Sequence, residues 1–329
     1  MPPSGSSLHA PEDRDAATGV ALMMASVFLF AIMDATVKWL GDSYPTSHIV
    51  LFRCAVALPV VFVFVLRAGG LHTLRTRRPG VHFLRSLVGL SAMAAAFWAF
   101  SQMRLADAIA IMFAAPIFMT ALSVPLLKER VGPRRWTAVG LGFIGVLVIV
   151  DPGGGVFSAG AWAALAAAVL MAFAMILIRK LSASEPASSI TFYFTLTGSL
   201  FGLAWTLVEG WQAPVGADLA LMVCVGLLGA VAQYAMTLAF RHADVAQVAP
   251  LEYGALLWSA LIGYILWSEV PDARTWIGAA IIIGSGLFML YRERKLAQAA
   301  GTTDGGQTPA ATAARAPRPR RLPRLRGRA

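Results

Sequence analysis

Long apolar runs alternate with short polar breaks along almost the whole chain, and the runs have the length of membrane-crossing helices. A helix rises about 1.5 Å per residue, so about 20 apolar residues cross about 30 Å of hydrocarbon. Ten runs qualify: Ala17 to Leu40, Ser47 to Leu66, Val81 to Met103, Leu105 to Leu127, Trp136 to Val150, Ala159 to Ile178, Ser188 to Val208, Leu219 to Phe240, Val245 to Trp267 and Thr275 to Tyr291. The fifth and tenth are short. The pattern predicts an all-α integral membrane protein of ten transmembrane helices. Most connections are a handful of residues, so sequence neighbours are expected to be antiparallel neighbours in space.

Part of this pattern is stated twice. The stretch from Ala99 to Val150 returns from Ala239 to Leu290 at a constant offset of 140 positions, aligning Ala99 with Ala239, Phe100 with Phe240, Ala106 with Ala246, Glu129 with Glu269, Arg134 with Arg274 and Trp136 with Trp276. Each copy reads as an apolar run, a charged turn carrying Glu, Arg and Trp, and a second apolar run. The chain therefore divides into two five-helix repeats, 17–150 and 151–291, between polar ends at 1–16 and 292–329 that are expected to be disordered. Five is odd, so the second half enters the membrane from the opposite side and the repeats are inverted, with the Glu129 and Glu269 turns on opposite faces. Many secondary transporters are built this way, because each half can adopt the other's conformation and open a central site to either side by alternating access. The alternative is a duplicated scaffold that transports nothing.

Composition fixes the solvent and excludes several function classes. Hydrophobic residues make up 58% of the 329 and charged residues 13%, against about 25% charged in soluble domains. Lys and Arg fall on one side of the predicted topology, apart from Lys38, Arg104 and Arg274 opposite and Arg53 within a span. By the positive-inside rule both termini are cytoplasmic, in a multi-pass protein of a bacterial inner membrane. The start carries Glu12, Asp13 and Asp15 and lacks the basic opening of a signal peptide, so the first helix is expected to be retained. No Gly-x-x-x-x-Gly-Lys-Ser/Thr loop is present, so the chain is not expected to hydrolyse ATP. Cys54 and Cys224 lie inside spans without metal-ligand spacing, and no cofactor is implied. An integral-membrane enzyme acting on a lipid-linked substrate is the rival class, but it would need clustered His, Asp or Ser near one interface. The net charge of +10 mostly reports the inside loops and the Arg-rich tail from Arg315 to Arg328. That tail is expected to meet anionic lipid headgroups rather than nucleic acid.

The wording of the helix ends resembles a known family. Leu105, Ala106, Asp107 and Ala108 open the fourth helix, Pro116 lies in its middle and Leu127, Lys128 and Glu129 close it. Arg135, Trp136 and the Gly140, Gly142, Gly145 run follow, and Glu269 and Trp276 repeat the pattern. From Ala17 to Tyr291 this resembles the drug/metabolite transporter superfamily, in its EamA branch of ten-helix carriers. The resemblance implies a small-molecule cargo, with protons or a counter-substrate for coupling, carried by a monomer or homodimer. Asp34 and Lys38 at the close of the first helix, with the Arg-rich turn before the third, most resemble branches linked to riboflavin or S-adenosylmethionine uptake, or to metallophore export. Riboflavin or S-adenosylmethionine is the first reading of the cargo, and export of amino acids or a metallophore is the second. One departure stands out: Pro116 lies 13 positions before Glu129 and Pro250 lies 19 before Glu269, so the proline breaks are not symmetry mates.

Intramembrane polar residues are costly in lipid and so mark a cavity or one another. Asp34 and Arg53 lie at one depth, each about 9 Å from the same end of the first and second helices, and are expected to meet, as cargo or proton groups or as a structural pair. Asp34 with Lys38 at i, i+4 is the alternative. Glu252, after Pro250 and before Tyr253, reads either as a coupling or gating carboxyl or as an acid near a helix N-terminus. Trp98, Phe113, Met175, Tyr193 and Tyr253, with Met112, Met171, Tyr234 and Trp258, could wall a pocket for a flat cargo or serve as packing. Gln233, with Gln102, Asp107 and Gln247, supplies polar contacts between helices. Trp39, Trp211, Trp267, Trp276 and Tyr291 read as interfacial anchors, and Glu129 and Glu269 as braces of their turns.

Overall fold

The computed structural model describes residues 11–127, 132–150, 158–182, 184–243 and 245–304. They form α1 (Pro11–Gly41), α2 (Thr46–Arg67), α3 (Pro79–Gln102), α4 (Leu105–Met112), α5 (Ala115–Leu127), α6 (Pro133–Val150), α7 (Ala159–Ser182), α8 (Ala187–Glu209), α9 (Ala217–His242), α10 (Val245–Val248), α11 (Gly254–Trp267) and α12 (Ala273–Asp304), with short 3-10 turns at Leu71–Leu74 and Ala249–Tyr253. Eight spans are long and apolar enough to cross a membrane, and the shorter apolar helices Trp136–Val150 and Ala273–Met289 bring the total to ten. Residues up to Met289 form one packed unit and those from Leu290 another. The Glu129 turn and the whole Arg-rich tail from Arg315 to Arg328 lie outside the described residues.

Two ends differ from expectation. α1 starts at Pro11 and α12 runs on to Asp304, past the predicted limits at Ala17 and Tyr291. The extension of α12 has a local cause: Arg292, Glu293, Arg294, Lys295, Leu296, Ala297 and Gln298 are all strong helix formers.

The closest packing is not between sequence neighbours. α1 lies mainly against α9, α2 against α8 and α3 against α7, while α1 and α2 barely touch. Small residues allow this interleaving, since they let backbones approach where lipid offers no competing hydrophobic drive. α7, which packs on α3, buries Ala164, Ala167, Ala168 and Ala172. On α8, a Cβ at Gly202 would come within 2.8 Å of the Leu51 Cα on α2. The pattern survives exchange of each span for its counterpart five later. The α1–α9 contact becomes α7–α3, α2–α9 becomes α8–α3, and α2–α8 and α4–α11 become themselves. The contact between α6 and α12 behaves likewise: Gly142 faces Ser285 while Gly145 faces Ile282, and the offset of 140 converts one pair into the other.

Candidate transport site

Both halves break the same span. In the first, Pro116 cannot donate to Met112, so the fourth span splits into α4 and α5 around Phe113 and Ala114. In the second, Pro250 opens the 3-10 turn Ala249–Tyr253 between α10 and α11. The prolines are offset, as expected, yet the breaks are symmetry mates. Pro116 follows its break and Pro250 precedes the end of its own, so Phe113 and Tyr253 stand 140 positions apart. These two rings meet edge to face with centroids 4.9 Å apart. A residue that touches its own repeat counterpart lies on the axis exchanging the halves. Beside it, a cavity of about 350 Å³ is lined by Pro250, Tyr253, Leu256, Leu257, Trp276 and Ile283. Glu252 is half-buried in the irregular turn, and among the described residues its carboxylate has no hydrogen-bond or ion-pair partner.

Asp34 and Arg53 do not form the expected ion pair. Both are half-buried and near enough for their charges to interact, but no contact within 4 Å joins them. Because α9 packs on both α1 and α2, the Arg53 guanidinium lies against Gly229 of α9, where an added Cβ would collide with it. The Asp34 and Lys38 alternative fails as well, since Lys38 is committed elsewhere.

Lys38 belongs to a network at the end of the bundle where α1, α3 and α11 finish. Its ammonium sits 2.8 Å from Glu269, donates to the Met103 carbonyl at 2.6 Å and lies over the Trp267 ring at 5.3 Å. Glu269 also accepts from the Leu105 backbone N–H at 3.1 Å, so it caps α4 in the opposite half. Arg104 donates to Asp107 at 2.5 Å, to Asp272 at 3.1 Å and to the Val270 carbonyl at 2.9 Å. Thr275 donates its hydroxyl to Asp107 at 2.7 Å and its backbone N–H to Asp272 at 3.0 Å. In these loops the Thr275 N–H, aided by Arg104, holds the Asp272 carboxyl below the usual range. Burial alone would depress Arg104, but the bonds to Asp107 and Asp272 outweigh it and hold the guanidinium above its ordinary value.

The remaining sequence candidates are dispersed. Trp98 and Gln102 line a cavity of about 570 Å³, together with Tyr44, Trp205 and Glu209, which sequence reading missed. Glu209 accepts from Ser47 at 2.5 Å, and Tyr44 donates to Asp218 at 2.9 Å. Tyr193 is engaged at the start of α8, where its hydroxyl donates to the Leu74 carbonyl at 2.6 Å and its ring lies 4.7 Å from that of His82. Met175 and Gln233 are exposed and line neither cavity. Tyr234 stacks on Phe64, and Trp258 meets Phe28 edge to face. Trp39, Trp211 and Trp276 are exposed at or just beyond helix ends, and Tyr291 is exposed within α12, which runs on past it. Arg85, in the second turn of α3, lies inside the contact between α3 and α8, its guanidinium 4.1 Å from the centre of the Phe194 ring.

Comparison with known proteins agrees with this architecture. The profile of the EamA-like transporter family matches twice, over residues 17–151 and 158–291. The chain is 31% identical to a riboflavin transporter of Rhizobium johnstonii, covering 87% of this chain and 95% of that one. It is 30% identical to an S-adenosylmethionine uptake transporter of Rickettsia felis, covering 84% and 94%. A solved crystal structure at 20% identity superposes with a TM-score of 0.59 over 85% of this chain and 99% of its own, which speaks to the fold alone. A multi-pass membrane transporter rather than an enzyme is therefore in hand, and the chain belongs to the EamA-like transporter family.

Proposed function

We propose that this protein is a secondary carrier of a small metabolite in a bacterial inner membrane, with both termini cytoplasmic, working by alternating access between inverted halves. The observation that carries the reading is the meeting of Phe113 and Tyr253 at two matched helix breaks. Broken spans place irregular backbone at mid-membrane only where protein or a cavity shelters it, and a joint on the exchange axis is where two halves can rock. Riboflavin and S-adenosylmethionine are the first cargoes to test, in keeping with the names of the two relatives, and export of amino acids or a metallophore is the runner-up. Asp34, Arg53 and Glu252 are the proposed cargo or coupling groups. Arg53 and Asp34 sense each other's charge without being locked together, which leaves both free to exchange partners with a cargo or a proton. Glu252, half-buried in the irregular turn and without an ion-pair partner among the described residues, is the candidate for proton coupling.

The test is uptake of labelled riboflavin and S-adenosylmethionine, separately, into proteoliposomes holding the full chain, with and without a pH gradient. Saturable uptake above empty vesicles is expected for at least one of them, with Asp34→Asn, Arg53→Gln and Glu252→Gln each lowering it. Unsaturable flux would mean a channel. Normal transport by all three variants would remove the residue assignment while leaving a carrier.

A further inference from the structure

Arg85 is a half-buried cation between α3 and α8 that has no counter-ion among the described residues. It is the seventh residue of α3, about 9 Å from the helix start by the helical rise. Its Nε and Nη1 are enclosed and donate to nothing. The stacked Phe194 ring satisfies the face of the guanidinium but leaves the edge N–H groups unspent. More unspent polar groups surround the same end: both ring nitrogens of buried His82 lack a hydrogen bond, as do the hydroxyls of Ser86 on α3 and Ser188 on α8. The acid at this end, Glu185, is taken up by Thr76 at 2.8 Å and by His82 at 3.8 Å. Enclosed donors without acceptors are expensive in a low-dielectric interior. A snorkelling arginine would reach past the helix end into water, whereas this one is turned onto the aromatic face of a neighbouring helix.

The repeat supplies a second, independent reason to regard the position as part of the pathway. Gly89 and Gly229 are counterparts at the offset of 140. Arg53 rests on Gly229 in the contact between α2 and α9, and a Cβ at Gly89 would lie 3.1 Å from the Phe194 ring and 3.6 Å from the Arg85 Nη1 in the contact between α3 and α8. Exchanging the halves turns the contact between α2 and α9 into that between α3 and α8, with Phe194 against Gly89 in the place of Arg53 against Gly229 and Arg85 one turn before Gly89 on the same helix. Arg53 is the eighth residue of α2 and Arg85 the seventh of α3, and successive spans start at opposite ends. The two guanidiniums thus enter equivalent interfaces from opposite sides, with Cys54 in electrostatic reach of both.

We propose that Arg85 binds the anionic group, carboxylate or phosphoryl, of the transported molecule, as the second of two guanidinium stations of which Arg53 is the first. This deepens the carrier reading and rests on it. It narrows the cargo to molecules bearing a negative group, such as the amino-acid end of S-adenosylmethionine, and away from uncharged riboflavin.

The test separates this inference from the carrier reading. Thermal unfolding of the purified full chain is followed in sodium acetate, sodium phosphate and sodium chloride at matched ionic strength, for wild type, Arg85→Gln and Arg85→Lys. Stabilisation of wild type by acetate or phosphate over chloride is expected, lost in Arg85→Gln and partly kept in Arg85→Lys. Acetate alone acting would assign a carboxylate, and phosphate alone a phosphoryl group. No selective stabilisation of wild type, or equal stabilisation of Arg85→Gln, overturns the proposal whatever the vesicles transport. In proteoliposomes the ratio of S-adenosylmethionine to riboflavin uptake should fall about tenfold in Arg85→Gln, the equivalent of one lost ionic contact. An equal loss of both cargoes would mark Arg85 as structural. If wild-type protein moves neither cargo, the carrier reading fails and the anion measurement still decides Arg85.

Discussion

The two ends of the bundle handle charge in opposite ways. Where α1, α3 and α11 finish, the interior cation Lys38 faces an acid contributed by the other half, and the half-exposed Arg104, held by Asp107 of its own half, joins the halves through Asp272. Where α3 and α8 begin, Arg85, Ser86 and Ser188 hold donors with no acceptor among the described residues. The first arrangement suits a latch whose partners complete each other. The second suits a socket whose partner arrives from outside. The lesson is that in a low-dielectric bundle the informative feature of a polar cluster is its balance of donors and acceptors, more than its size.

The contrast breaks down or sharpens under substitution. The largest effect belongs to Glu269→Ala, which strips the buried Lys38 of its counter-ion and uncaps α4. A loss of about 3 kcal/mol is expected, read as a large fall in the unfolding temperature in detergent. Removing both partners in Lys38→Met with Glu269→Leu should recover most of it, because no orphan charge remains; a double variant as unstable as Glu269→Ala would show that the pair is not the cause. Arg85→Met should behave in the opposite sense, leaving stability unchanged or raising it by about 1 kcal/mol, since no partner is abandoned. A loss comparable to that of Glu269→Ala would make the two ends alike. The smallest effect is Asp272→Asn, where the acid is half-exposed and solvent screening limits the pair to about 0.5 kcal/mol.

Acid titration reads that last bond separately. The Asp272 carboxyl is held below its ordinary value in the folded protein, so its contribution is fully present above the unfolded carboxylate value near pH 4. It disappears as pH falls through the lower folded value. The difference in unfolding temperature between wild type and Asp272→Asn should therefore be flat from neutral pH down to about 4 and vanish below it. A difference that grows on acidification would contradict the bond from Thr275.

Span number was legible because apolar run length reports it directly, whereas the outer ends of α1 and α12 were not. The nearness of Asp34 and Arg53 was legible in part: the helical rise suggested it, and their charges are close enough to interact. Lateral position was not. Which helix faces which depends on small-residue seams such as Gly202 on Leu51, and these brought α9 between α1 and α2 and joined Lys38 to an acid 231 positions away. Arg85 was missed for a related reason. Lying near a helix start, it reads as a loop cation until Phe194 is seen across from it. The proline spacing misled because a proline can stand on either side of the break that it causes.

The contact of Phe113 with Tyr253 means that the chain meets its own duplicate at one joint. A symmetric dimer assembled from the first half alone would bring Phe113 onto a second Phe113, and one assembled from the other half would bring two phenols together. Only the fused chain combines a greasy ring with a hydroxylated one there, so the covalent link between the halves allows the joint an asymmetry that neither homodimer could have.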